Sequence, residues 1–148
     1  MRFGGFMRRK ILALALILGF ATSIYAADDI RYFSIEEAIK EAKAQGIIDD
    51  SIQFKFGSGS GSKDKIFIKG LSTNKKSNKV GKDAKTSCQR AFHSALVQFF
   101  TRAKKEGATK VVNLTGYFKK IPYDSKTEFQ CGVGNLMSGV TLRGDLAK

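Results

Sequence analysis

The side chains that could serve as soft metal ligands, or as sulfur and imidazole nucleophiles, are Cys88, His93 and Cys131. A structural zinc needs about four ligands, and a catalytic zinc about three plus water. Five residues along a helix rotate His93 by about 140° from Cys88, so the three do not converge easily. The same rotation argues against a Cys–His nucleophilic pair. No metal is therefore expected, and His93, at the edge of an apolar stripe near Phe100, is expected to be a partly buried structural residue. Carboxylates are few. Glu36 and Glu37 open a helix, and Asp49 and Asp50 flank a turn. None forms a spaced pair suited to general acid–base work, so no catalytic residue and no cofactor is assigned.

Two glycine-rich stretches invite a phosphate-loop reading. A nucleotide-binding loop has the pattern GxxxxGK[ST] between a strand and a helix. After GSGSGS, residues 57–62, Lys63 follows a serine, and Asp64 stands where Ser or Thr is needed and would repel phosphate. GVGNLMSG, residues 132–139, lies between two strands. No nucleotide is expected at either. Asn113-Leu114-Thr115 has the form of a glycosylation sequon, but it falls in a strand behind a bacterial-type leader and is discounted.

Charge is the stronger signal. The chain carries 26 Lys+Arg against 13 Asp+Glu, a formal +13. Lys75, Lys76, Lys79, Lys82 and Lys85 crowd the segment LSTNKKSNKVGKDAK, residues 71–85, which reads as an exposed polar loop. It lacks the interleaved aromatics of a single-strand nucleic-acid platform. The five lysines are candidate contacts for an anionic partner, against the plainer reading of a solvated loop.

The elements that would position these groups can be read from periodicity. Ser34 precedes Glu37 at capping-box spacing, and Ile35, Ala38, Ile39 and Ala42 recur at helical spacing, which predicts a helix over Ile35–Ala44 with Gly46 closing it. Ile30 to Phe33 reads as a short extended lead-in. Ile52, Phe54 and Phe56 alternate with polar residues as in a half-buried strand. Residues 65–69 alternate likewise, and the two runs could form a hairpin across GSGSGS. Asp83 is a candidate N-cap for the clearest helix, Ala84–Glu106, which Gly107 ends. Its residues Cys88, Ala91, Phe92, Ala95, Leu96, Phe99 and Ala103 form one apolar stripe. Val112, Leu114 and Phe118 are expected on one strand face. IPYDSK, residues 121–126, is a turn. Phe129, Cys131 and Val133 share the face of a second strand, and Leu136, Val140 and Leu142 continue strand character. The expected fold is a single small α+β domain over residues 27–148, with the long helix packed on an antiparallel sheet.

That arrangement aims Cys88, on the helix stripe, and Cys131, on the strand face, into one layer. A disulfide is expected if the register fits; the alternative is two buried thiols acting as small hydrophobes. A bond closing that loop would contribute about 4 kcal/mol in the chain-entropy model.

The opening residues bear on the compartment. Arg8, Arg9 and Lys10 precede an apolar run at residues 11–21, and Ala26 and Ala27 offer small residues for cleavage. This is the layout of a secretory signal peptide, expected as a helix over residues 1–26, with Met1 or Met7 as the start. The run is shorter than the roughly 20 residues of a spanning helix. Ile24 is bulky for the −3 position. Cleavage removes Arg2, Arg8, Arg9 and Lys10, which lowers the formal charge to +9. The expected address is the periplasm, where disulfides persist and where anionic envelope components, rather than nucleic acid, are the natural partners.

TNKKSN, CQRAFHSALVQFFTRAKKEGATKVVNLTGYFKK and TEFQCGVGNLMSGVTLRGDL resemble a family of small exported proteobacterial proteins that often carry the label excinuclease ATPase subunit. The resemblance covers about the last two-thirds of the chain. An excision-repair ATPase needs a Walker motif and cysteine zinc sites, and this chain has neither. Residues 103–140 more weakly resemble the YbjQ-type domain and the outer-membrane sensor of the Rcs envelope-stress pathway, which implies a compact α+β domain with disulfide support. That sensor is lipid-anchored and richer in cysteine, whereas here no cysteine stands directly after the apolar run to carry a lipid. The reading is a non-enzymatic periplasmic interaction protein that meets an anionic envelope component or a periplasmic or outer-membrane protein. The alternatives are an enzyme with an unrecognised site and the DNA-repair role that the family label implies.

Overall fold

The structure, a computed structural model, describes residues 29–148. The expected signal peptide, the expected cleavage residues Ala26 and Ala27, and both candidate starts lie outside those residues.

Six strands and two helices follow in the order β1 (Asp29–Ser34), α1 (Ile35–Ala44), β2 (Gln53–Phe56), β3 (Ile66–Asn78), α2 (Ala84–Glu106), β4 (Lys110–Gly116), β5 (Glu128–Val133) and β6 (Met137–Ala147). They make a small α+β domain with one curled sheet. β6 is its spine. It pairs antiparallel with β3 along one edge, and with β4 and β5 along the other. β1 extends the sheet beyond β5 antiparallel, and β2 extends it beyond β4 in parallel.

Both helices form where their caps predict. Ser34 Oγ accepts from the Glu37 N–H at 3.1 Å, and Asp83 Oδ1 accepts from the Thr86 N–H at 2.7 Å. Each bond satisfies an N–H that the first turn would otherwise orphan. Gly107 ends α2 in the left-handed conformation, at φ 71°, where a side chain would be strained. The inner stripe of α2 is sealed: Cys88, Ala91, Phe92, Ala95, Leu96 and Ala103 expose nothing to solvent. Phe92 stacks on Phe129 of β5 at 4.1 Å between centroids. α1 packs beside α2, and Ala38 and Ala42 are small enough to let the two approach.

Four expectations are corrected. Residues 71–78 are not loop: β3 runs through them, paired from Leu71–Gly144 to Asn78–Met137. Their polar character follows from position, because β3 has a single partner strand and exposes most of its alternate side chains. The two alternating runs around GSGSGS do not form a hairpin. β2 pairs with β4, and the glycine stretch crosses over Val112 instead. Val112, Leu114 and Phe118 do not share a face. Asn113 sits at φ 55° in a bulge, so Val111 and Leu114 face the helices while Val112 faces the other way under Gly61. Leu136 belongs to a turn rather than a strand and is exposed.

The sheet's second face carries a smaller cluster. The Phe118 ring lies over Gly132, so close that a Cβ there would stand 2.2 Å from Cζ. Tyr32 meets Tyr123 at 4.9 Å.

Candidate anion-binding surface

Cys88 and Cys131 are bonded, with Sγ–Sγ 2.03 Å and Cα–Cα 5.9 Å. The bond joins the inner face of α2 to β5 at the centre of the core, and it removes both sulfurs from any ligand or nucleophile role. His93 is buried, and its Nε2 meets the Ala38 carbonyl at 2.8 Å, which ties α2 to α1 as a structural residue. Among the described residues no three His, Cys, Asp or Glu side chains are grouped to hold a metal.

The candidate lysines do not form one cluster. Lys75 and Lys76 are strand residues near the end of β3. Lys75 lies opposite Val140, on the helix side of the sheet, and Lys76 lies opposite Gly139. Lys79 and Lys82 sit in the turn after β3, where their ammonium groups reach backbone carbonyls: Nζ to Gly134 O at 3.3 Å and Nζ to Asn78 O at 3.5 Å. Lys85, in the first turn of α2, pairs with Glu37 at 2.7 Å, a bond that raises its pKa above the usual lysine value. The glutamate of the α1 cap thus takes one of the five.

The fold instead joins Lys75 and Lys76 to three cations from elsewhere. Arg90, Arg102 and Lys105 project from the outward face of α2, and with the two lysines of β3 they line an open depression of about 920 Å³. Ser77, Ser94, Gln98, Thr101 and Gln45 supply further polar groups, and Ile47 and Val97 an apolar patch. No carboxylate lines it. Arg102 is engaged by Glu106, one turn on, at 3.0 Å. Lys75, Lys76, Arg90 and Lys105 have no ion-pair partner among the described residues. The feature was legible in part: no Asp or Glu occurs in α2 before Glu106, while Lys85, Arg90, Arg102, Lys104 and Lys105 do. What the sequence hid was that β3 would lie alongside.

The other charged groups are mutually engaged. Asp64, nearly buried, accepts from Lys110 at 2.6 Å and Lys55 at 2.7 Å. These two bonds, Lys110 first, hold its carboxyl below the ordinary aspartate value. This is the aspartate that displaces the phosphate-loop reading, and it pins the glycine stretch to β2 and β4. Asn113 Oδ1 accepts from the Gly61 N–H, and Nδ2 donates to Asp145 Oδ2 at 2.9 Å. Asp124 accepts from Ser58 through both N–H and Oγ, which lowers its pKa.

No family model, no curated protein and no solved structure matches this chain. The fold and surface define a disulfide-linked α+β domain with a basic depression on its helical side.

Proposed function

We propose that the protein is an exported, non-enzymatic domain of the cell envelope that binds a phosphate-bearing polyanion, lipopolysaccharide or anionic phospholipid, along α2 and β3. The observation that carries this reading is the depression itself: five of its thirteen lining residues are Lys or Arg and none is acidic. The leader sequence supports the address, and the buried disulfide is the kind of cross-link that persists in an oxidising compartment. A basic cleft raises the local concentration of anions and speeds their arrival. Near an anionic membrane each Lys or Arg contributes about 1 kcal/mol, so the unpaired cations Lys75, Arg90 and Lys105 together supply about 3 kcal/mol.

The test is co-sedimentation of the processed protein with lipopolysaccharide and with anionic vesicles over a salt series. Capture should weaken steeply with salt. Replacing Lys75, Arg90 and Lys105 with Gln should cost about 3 kcal/mol, more than a hundredfold in affinity. Capture that ignores both salt and this triple substitution would sink the proposal.

A further inference from the structure

Two turns meet at one end of the domain. The turn after β3, residues 79–82, lies against the β5–β6 turn. The Lys79 N–H donates to Leu136 O at 2.8 Å, and the Gly134 N–H to Met137 O at 2.8 Å. Surface turns are usually built from Gly, Asn, Asp and Ser. Here the paired tips carry Val80, Leu136 and Met137, exposed by 62%, 65% and 44%. Of the seven exposed large hydrophobics among the described residues, three are at this one place.

Lysines surround them. Lys79 and Lys82 fold back to the carbonyls of Gly134 and Asn78, which sets their charges behind the apolar tips, and Lys76 lies one step down β3. The acids at this end are engaged: Asp83 caps α2 through Thr86, and Asp29 pairs with Arg31. The chain also enters the described domain here, because Asp29 is the register partner of Val133 at the base of the hairpin.

We infer that this end docks on an anionic lipid bilayer, with Val80, Leu136 and Met137 entering the boundary between headgroups and acyl chains and Lys76, Lys79 and Lys82 resting on the phosphates. A projecting apolar tip in front of a basic collar has the polarity profile of an interfacial membrane contact, in which apolar groups sink about 5–10 Å and lysine stems span the interface. This rests on the envelope-binding reading and narrows its partner to the membrane surface.

The chain contains no tryptophan, so Leu136→Trp provides a single reporter, with Ile121→Trp, on a different exposed loop, as the control. Each processed variant, checked by mass, is mixed with vesicles of neutral lipid and of neutral plus anionic lipid. The Leu136→Trp emission should shift to the blue on anionic vesicles and be quenched by brominated acyl chains, while the Ile121→Trp emission stays put. Leu136→Ser with Met137→Ser should weaken vesicle capture at least tenfold. Lys79→Gln should weaken it about fivefold, and on anionic vesicles only. Salt-sensitive capture without blue shift or quenching overturns the tip and leaves the α2–β3 depression standing. Absence of capture by both lipopolysaccharide and anionic vesicles overturns both readings. A blue shift that grows with protein concentration in the absence of lipid means that a second copy covers the tip, and overturns the inference as well.

Discussion

Reducing the Cys88–Cys131 bond should lower the stability of this domain by about 4 kcal/mol. The figure follows from the sequence separation of 43 residues, which in the chain-entropy model gives about 13 cal/mol/K of lost freedom in the unfolded chain. Small domains have only about 5–15 kcal/mol in total, so the loss should shift the thermal midpoint by roughly 15 °C. Both sulfurs are fully buried, so a reductant added to the native protein reaches them only through opening. Reduction is therefore done in denaturant, followed by refolding in reductant. The assay is paired urea unfolding of oxidised and reduced protein of identical sequence. Besides a lower midpoint, the reduced protein should show a steeper denaturant dependence, because an unlinked unfolded chain exposes more surface. A Cys88→Ala, Cys131→Ala variant should follow the reduced curve, offset only by the two lost sulfurs. Coincident oxidised and reduced curves would refute the reasoning. So would thiol labelling of both cysteines in the unreduced, unfolded protein.

Gly132→Ala should destabilise by about 1–3 kcal/mol, since its Cβ would meet the Phe118 ring; combined with Phe118→Ala the cost should be less than additive in a double-mutant cycle. Asn113→Gly should be more stable than Asn113→Ala by about 1 kcal/mol in chemical denaturation, because both lose the Gly61 and Asp145 bonds but only glycine accepts φ 55° without strain; the reverse order would place the strain elsewhere. Asp64 has a depressed folded pKa. Its contribution to stability is thus complete above the unfolded value near 3.8 and is lost as pH falls through the lower folded value. Melting curves from pH 6 to pH 2.5 should show Asp64→Asn with a flatter acid limb than the wild type, and parallel limbs would refute the link.

The elements with strong local signals were readable. Helices α1 and α2 announce themselves through Ser34, Asp83, Gly107 and an apolar stripe of period 3.6, and their bounds match the sequence expectation. The cysteine pairing was readable too, because each thiol sat on an apolar face whose partner element was evident. The failures share one cause, dependence on a distant strand. β3 has no apolar alternation of its own beyond Leu71, and its ladder to β6 makes it a strand. The Asn113 bulge reverses the faces of β4 in a way that no period-2 reading detects. The parallel pairing of β2 with β4 depends on Asp64 and Asn113 holding the glycine stretch across Val112. The basic surface was half readable for the same reason: the cations of α2 stood in plain order, but the lysines of β3 reach them only through that unseen ladder.

The spine strand has a consequence for the order of assembly. β6 touches β3, β4 and β5 directly and follows all of them along the chain. During synthesis β2 can pair with β4, and β1 with β5, but these two pairs and β3 emerge before the strand that joins them, and Cys88 waits for β5 before its partner exists. Only when residues 137–147 arrive can the sheet close. The sheet stays open until β6 has been made, and non-local pairing of this kind folds slowly. Late closure of the sheet suits the export proposed above, because a translocation pore requires a cargo chain that is still unfolded when it reaches the channel and that completes its sheet and its disulfide afterwards.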